Sequence, residues 1–101
     1  MIGRLLSVAA MMFWVGIGVA HAAGNAAAGK AKAAVCAGCH GAEGQGVGTN
    51  PPLKGLSEAQ IVQNLEDFKS GKRSNAVMKG ISAGLTGQDM ANLAAYFASL
   101  K

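Results

Sequence analysis

The chain is 101 residues long, half of them hydrophobic, with nine lysines and arginines against five aspartates and glutamates for a formal net charge of +4. That length holds one domain, the two cysteines exclude a multiply bridged disulfide scaffold, and positive charges with no run longer than Lys72–Arg73 exclude the basic runs of a nucleic-acid binder. The mild positive excess fits an ordinary solvated surface or, as the functional alternative, steering toward an acidic protein surface.

The first element is an export signal. A lone Arg4 precedes an apolar run of 16 residues, 5–20, and "AHA" at 20–22 supplies small residues for cleavage, the order of a secretory leader. A membrane span needs ~20 apolar residues, and this run is shorter and contains Gly16 and Gly18. Cleavage after Ala22 is therefore predicted, leaving residues 23–101 as one exported, periplasmic domain with no membrane span. What remains holds a single histidine, His40, the methionines Met78 and Met90, and the aromatics Phe68, Tyr96 and Phe97. So small and alanine-rich a domain buries a modest core and usually recruits a metal or cofactor.

Alanine-rich residues 25–35 have good helix propensity, so a first helix runs toward the cysteines, and Gly29 within it implies a close-packed neighbour. Residues 41–57, rich in glycine and with both prolines, are irregular. A second helix starts at Ser57, with Gln60 in capping-box spacing, carries Ile61, Leu65 and Phe68 as one apolar stripe and stops at "SGKR". Between it and the last helix, "SNAVMKGISAGL" reads as a loop or a brief helical turn. The last helix is capped by Thr86 and Asp89 and buries Met90, Leu93, Ala94 and Phe97. No strand pattern is present.

The chemistry concentrates in "CAGCH", with Cys36, Cys39 and His40. A closed zinc site needs four ligands, more than this domain offers, and a thioredoxin-like pair follows a strand, which is lacking. A disulfide is compatible with export but leaves His40 and the thin core unexplained. Haem accounts for all of it: cysteines three apart share one face of a helical turn and can bond two neighbouring vinyl groups, and the next residue offers its imidazole to the iron. The sixth position belongs to a methionine, to water or to nothing. Met90 lies on a helical apolar stripe and reads as core. Met78 has no packing reason for its place and reads as the ligand.

With "AGKAKAAVCAGCHG", "PPLKGL", "LEDFKSGKRSNAVM" and "LTGQDMANLAAYFASL" in this order, the chain resembles class I cytochromes c, most closely the small bacterial domains found singly or as one half of tandem dihaem proteins. The resemblance implies an all-α fold, three to four short helices wrapped around one covalently bound haem c. It makes His40 the proximal and Met78 the distal iron ligand, has the Pro51 carbonyl accept from the His40 ring, lines the pocket with Leu53, Leu93 and Tyr96, and puts Arg73 and Asn75 near the propionates and the methionine loop. It further implies a monomeric, non-enzymatic electron carrier whose partners are acidic redox proteins, met by Lys32, Lys54, Lys72, Arg73 and Lys79 around the haem edge. A cytochrome subunit of a periplasmic dehydrogenase and a five-coordinate ligand-binding haem protein are the alternative functions.

Overall fold

A computed structural model describes residues 23–101; the predicted leader lies outside the described residues. Five helices follow one another: α1 (Ala26–Lys32), α2 (Ala34–His40), α3 (Glu58–Ser70), α4 (Ala76–Ala83) and α5 (Gly87–Ser99). Among the described residues the only extended pairing is an isolated bridge between Val47 and Asn50. The expected all-α class holds, and the described residues form five helices rather than the three to four expected.

Two differences account for the extra helices. The first helix breaks at Ala33, whose carbonyl accepts from the Cys36 amide three residues on (2.9 Å), a tighter turn than the α-helical ladder. The break divides the work: α1 lies on α5, and α2 carries the cysteine motif. The stretch expected as a loop or brief turn is instead α4, because Asn75 is an N-cap, its side-chain oxygen accepting from the Met78 amide at 3.0 Å.

The capping boxes read from the sequence are both formed. Ser57 accepts from the Gln60 amide and the Gln60 side chain from the Ser57 amide; Thr86 and Asp89 exchange the same pair at α5. Gly71, in a left-handed conformation at φ 82°, ends α3. Gly29 meets the close neighbour its position implied: it is buried, and a Cβ there would collide with the Asn92 carbonyl and come within 2.9 Å of Tyr96 Cβ. The Asn25 amide donates to Asn92 Oδ1 at 2.8 Å, so α1 is pinned to α5 at two adjacent turns.

The core is small and centred on α5. Met90, Leu93, Ala94 and Phe97 from α5 pack with Ile61 and Leu65 of α3, Leu85 and Ala33. Each large apolar side chain so buried contributes about 1.5–3 kcal/mol. Met90, 2 % exposed, is core as expected. No helix among the described residues is long and apolar enough to cross a membrane.

Candidate functional site

The irregular segment between α2 and α3 is folded back onto the cysteine motif by its own backbone. The Gly46 amide donates to the His40 carbonyl (2.7 Å), and the Leu53 and Lys54 amides both donate to the Gly44 carbonyl (2.7 and 2.9 Å). Gly44 sits at φ 68° with the Phe97 ring where a Cβ would be, so both the turn and the close approach require glycine. This folding carries the Pro51 carbonyl to the His40 ring, 2.7 Å from Nδ1. A carbonyl only accepts, so Nδ1 carries the proton and donates. Nε2 is left with its lone pair, the state of a metal-binding imidazole.

His40 is 7 % exposed and faces a cavity of about 850 Å3, at the upper end of the size range of small-molecule and cofactor sites. Cys36, Cys39, His40 and Met78 all line it, although Met78 lies 38 residues after His40 and on another helix. No disulfide joins the cysteines. Cys36 is half-buried and Cys39 exposed, and burial pushes the Cys36 thiol pKa up, keeping it protonated. Among the described residues no three histidine, cysteine or acidic side chains gather to hold a bare metal ion. Most of the remaining wall is apolar, from Leu56, Ile61, Leu65, Ile81, Leu85 and Leu93, with Thr49, Asn50 and Asn64 among its polar members, and the lining residues Val35 and Val77 are 57 % and 64 % exposed.

Of the expected pocket residues, Pro51, Leu53, Arg73, Asn75 and Leu93 line the cavity. Tyr96 does not. It turns toward α1, where its Cβ abuts Gly29, and its ring packs on Phe97 with centroids 5.1 Å apart. Phe97, 3 % exposed, takes the wall position. The phase of α5 decides between neighbours: Leu93 and Phe97, four apart, share one face, and Tyr96 belongs beside Asn92 on the face that meets α1. Phe68, which the sequence places on the α3 stripe and not in the pocket, lines the cavity with the Arg73 guanidinium 4.6 Å above its ring.

The expected ring of cations is also redistributed. Lys32 reaches Asp89 (3.8 Å) at the α1–α5 contact, and Lys54 reaches Glu43 (3.7 Å). Of the five expected cations Arg73 alone lines the cavity. Lys72, Arg73 and Lys79 gather where α3 gives way to α4, Lys79 Nζ lying beside Gly71. Lys69 is engaged, donating to the Leu85 carbonyl at 2.7 Å and tying the end of α3 to the start of the α4–α5 connection.

A paired-cysteine turn, a histidine with Nε2 free and a methionine facing one apolar cavity are the donor set of a covalently held haem. Family comparison agrees: a cytochrome c model matches residues 26–101. The chain belongs to the cytochrome c family. It is 52 % identical over 85 residues to cytochrome c4 of Pseudomonas aeruginosa, covering 83 % of this chain and 42 % of that one. It is 45 % identical to cytochrome c-554(547) of Halothiobacillus neapolitanus, covering 78 % of this chain and the whole of the relative. The solved cytochrome c4 of Acidithiobacillus ferrooxidans superposes with a TM-score of 0.74 at 34 % identity, covering 80 % of this chain and 53 % of that one. The chain thus spans less than half the length of the Pseudomonas cytochrome c4. Haem c is the cofactor that goes with this fold, and the cavity's size, apolar walls and sulfur and imidazole donors fit it.

Proposed function

We propose that the chain is a periplasmic one-electron carrier with a single haem c, exported on residues 1–22 and working as a monomer over residues 23–101. In this reading Cys36 and Cys39 would hold the haem covalently through their thiols, and His40 Nε2 and the Met78 thioether would ligate its iron. Bound there, the haem supplies an Fe(III)/Fe(II) couple.

The observation that carries the proposal is the convergence of Cys36, Cys39, His40 and Met78 on one cavity, with the His40 ring already oriented by the Pro51 carbonyl. That hydrogen bond holds the tautomer and ring plane, so a ligand bond forms with little reorganisation. Asn75 does the same for the other side: its side chain accepts from the Met78 amide and so fixes the first turn of α4, which presents the thioether. With His40 and Met78 both engaged, side chains would close the metal to substrate, and the two oxidation states would differ little in structure. A thioether opposite an imidazole also biases the potential upward. The cations Lys72, Arg73 and Lys79 at the corner between α3 and α4 suit a brief, charge-steered encounter with an acidic redox partner.

The test is Met78→Ala. The oxidised holoprotein is expected to lose the methionine-to-iron charge-transfer band, the reduced form to bind carbon monoxide, and the potential to fall. A Met78→Ala protein that keeps a six-coordinate spectrum and excludes carbon monoxide removes Met78 from the metal; if Met90→Ala is silent as well, the carrier reading gives way to the open-site haem protein.

A further inference from the structure

Ser82 is 0 % exposed, and among the described residues its hydroxyl is the one buried side-chain polar group with no hydrogen-bond partner. Burial without a partner takes both the donor and the acceptor of a hydroxyl out of water with nothing in return, and at a helical position alanine has the better propensity. The hydroxyl's place in the fold suggests what it serves. Ser82 follows Met78 by four residues on α4, so the two share a face. Because the Cα–Cβ bonds of a helix tilt toward its N-terminus, the Ser82 side chain leans back over the turn that holds Met78. Met78, Ile81 and Leu85 form the cavity wall here, and Ser82 stands behind that wall without lining it.

We propose that the Ser82 hydroxyl is the hydrogen-bond donor for the Met78 thioether, a positioning residue that orients the sulfur and raises the reduction potential of the site. The inference rests on Met78 being the iron ligand. In this structure the Ser82 hydroxyl does not bond the Met78 sulfur; a thioether accepts weakly but sits on a flexible, unbranched chain, so on ligation it can swing to meet a donor one turn away. A proton donated to sulfur withdraws electron density from it. The sulfur then stabilises the ferric state less than the ferrous one, and the potential rises.

The experiment uses the holoprotein and four variants. Ser82→Ala removes the hydroxyl; Ser82→Thr and Ser82→Val have the same shape as each other and differ in the hydroxyl alone, which cancels any crowding; Met78→Ala reports on ligation. Midpoint potentials come from spectroelectrochemical titration, and the Met78 methyl resonance of the reduced protein from NMR. Ser82→Ala is expected to lower the ferrous-to-ferric ratio at the wild-type midpoint several-fold and to shift the methyl resonance, with Ser82→Thr holding a higher potential than Ser82→Val. Equal potentials for the threonine and valine variants overturn the proposal. So does a Ser82→Ala protein with unchanged potential and methyl shift and a raised thermal midpoint, the behaviour of a hydroxyl that was merely unpaired. If Met78→Ala opens the sixth position and the Ser82 variants are silent, the Ser82 inference alone fails; if Met78→Ala leaves the spectrum intact, the ligand assignment fails first.

Discussion

Gly29→Ala sets two opposing effects against each other at a site where the winner can be worked out. In a helix interior alanine is better than glycine by about 1 kcal/mol, so propensity alone predicts a more stable protein. The added Cβ, however, would enter the Asn92 carbonyl and lie 2.9 Å from Tyr96 Cβ. Both atoms belong to the framework of α5 and cannot swing aside as a side-chain tip would, so α1 must lift. Overpacking of this kind costs about 1–3 kcal/mol. Lifting α1 also stretches the Asn25–Asn92 hydrogen bond, about 0.5–1.5 kcal/mol, and the Lys32–Asp89 pair, at most about 1 kcal/mol at the surface. Sterics win, with a net destabilisation of about 2 kcal/mol once the propensity gain is subtracted. Gly80→Ala is the control: it lies inside α4 with nothing within 4 Å of its Cβ position, so propensity acts unopposed and the protein gains up to about 1 kcal/mol. Denaturant unfolding of both holoproteins, read as midpoints at unchanged slope, gives opposite signs. Two stabilised variants would refute the close contact of α1 with α5.

Met90→Ala is expected to cost about 2–5 kcal/mol through lost burial and a residual cavity while leaving the haem spectrum unchanged, checked by unfolding and absorption on one sample. Acid should weaken α5 specifically. The Thr86 amide, the first of several causes, holds the Asp89 carboxyl below its ordinary value, so its stabilisation is complete above about pH 4 and is lost as pH falls through the lowered folded value. The stability difference between wild type and Asp89→Asn should therefore be present at pH 6 and shrink progressively below pH ~4; a difference constant to pH ~2 contradicts the charge-based cap. For docking, Lys72→Glu with Lys79→Glu should slow electron transfer with an acidic partner at low salt and flatten its ionic-strength dependence, and Lys32→Gln should change neither. Equal effects from both sets would restore an evenly distributed rim.

Much of this molecule is local and therefore legible in the chain. The Cys36–Cys39–His40 turn needs only helical spacing. The capping boxes at Ser57 and Thr86 bond residues three apart, and the stripe of Met90, Leu93 and Phe97 follows from helical period. Gly29 announced a close approach, because only an absent Cβ explains a glycine in so strong a helix former. The cap at Asn75 was equally local. No capping-box partner follows it, and the glycines at 80 and 84 make the stretch read as a loop or brief helical turn. What local pattern could not decide was how the faces are shared out. Tyr96 and Phe97 are adjacent aromatics on one helix, and only the docking of α1 against Asn92 and Tyr96 commits Tyr96 to that contact and leaves Phe97 for the cavity wall. Lys32 and Lys72 are alike as letters, yet the α1–α5 contact pairs the first with Asp89 and the α3–α4 corner collects the second with Arg73 and Lys79. The cavity itself, with Met78 brought across it toward His40, exists only once five helices have packed. Contacts between residues far apart in sequence depend on the relative placement of whole elements, and that is set by the sum of their packing.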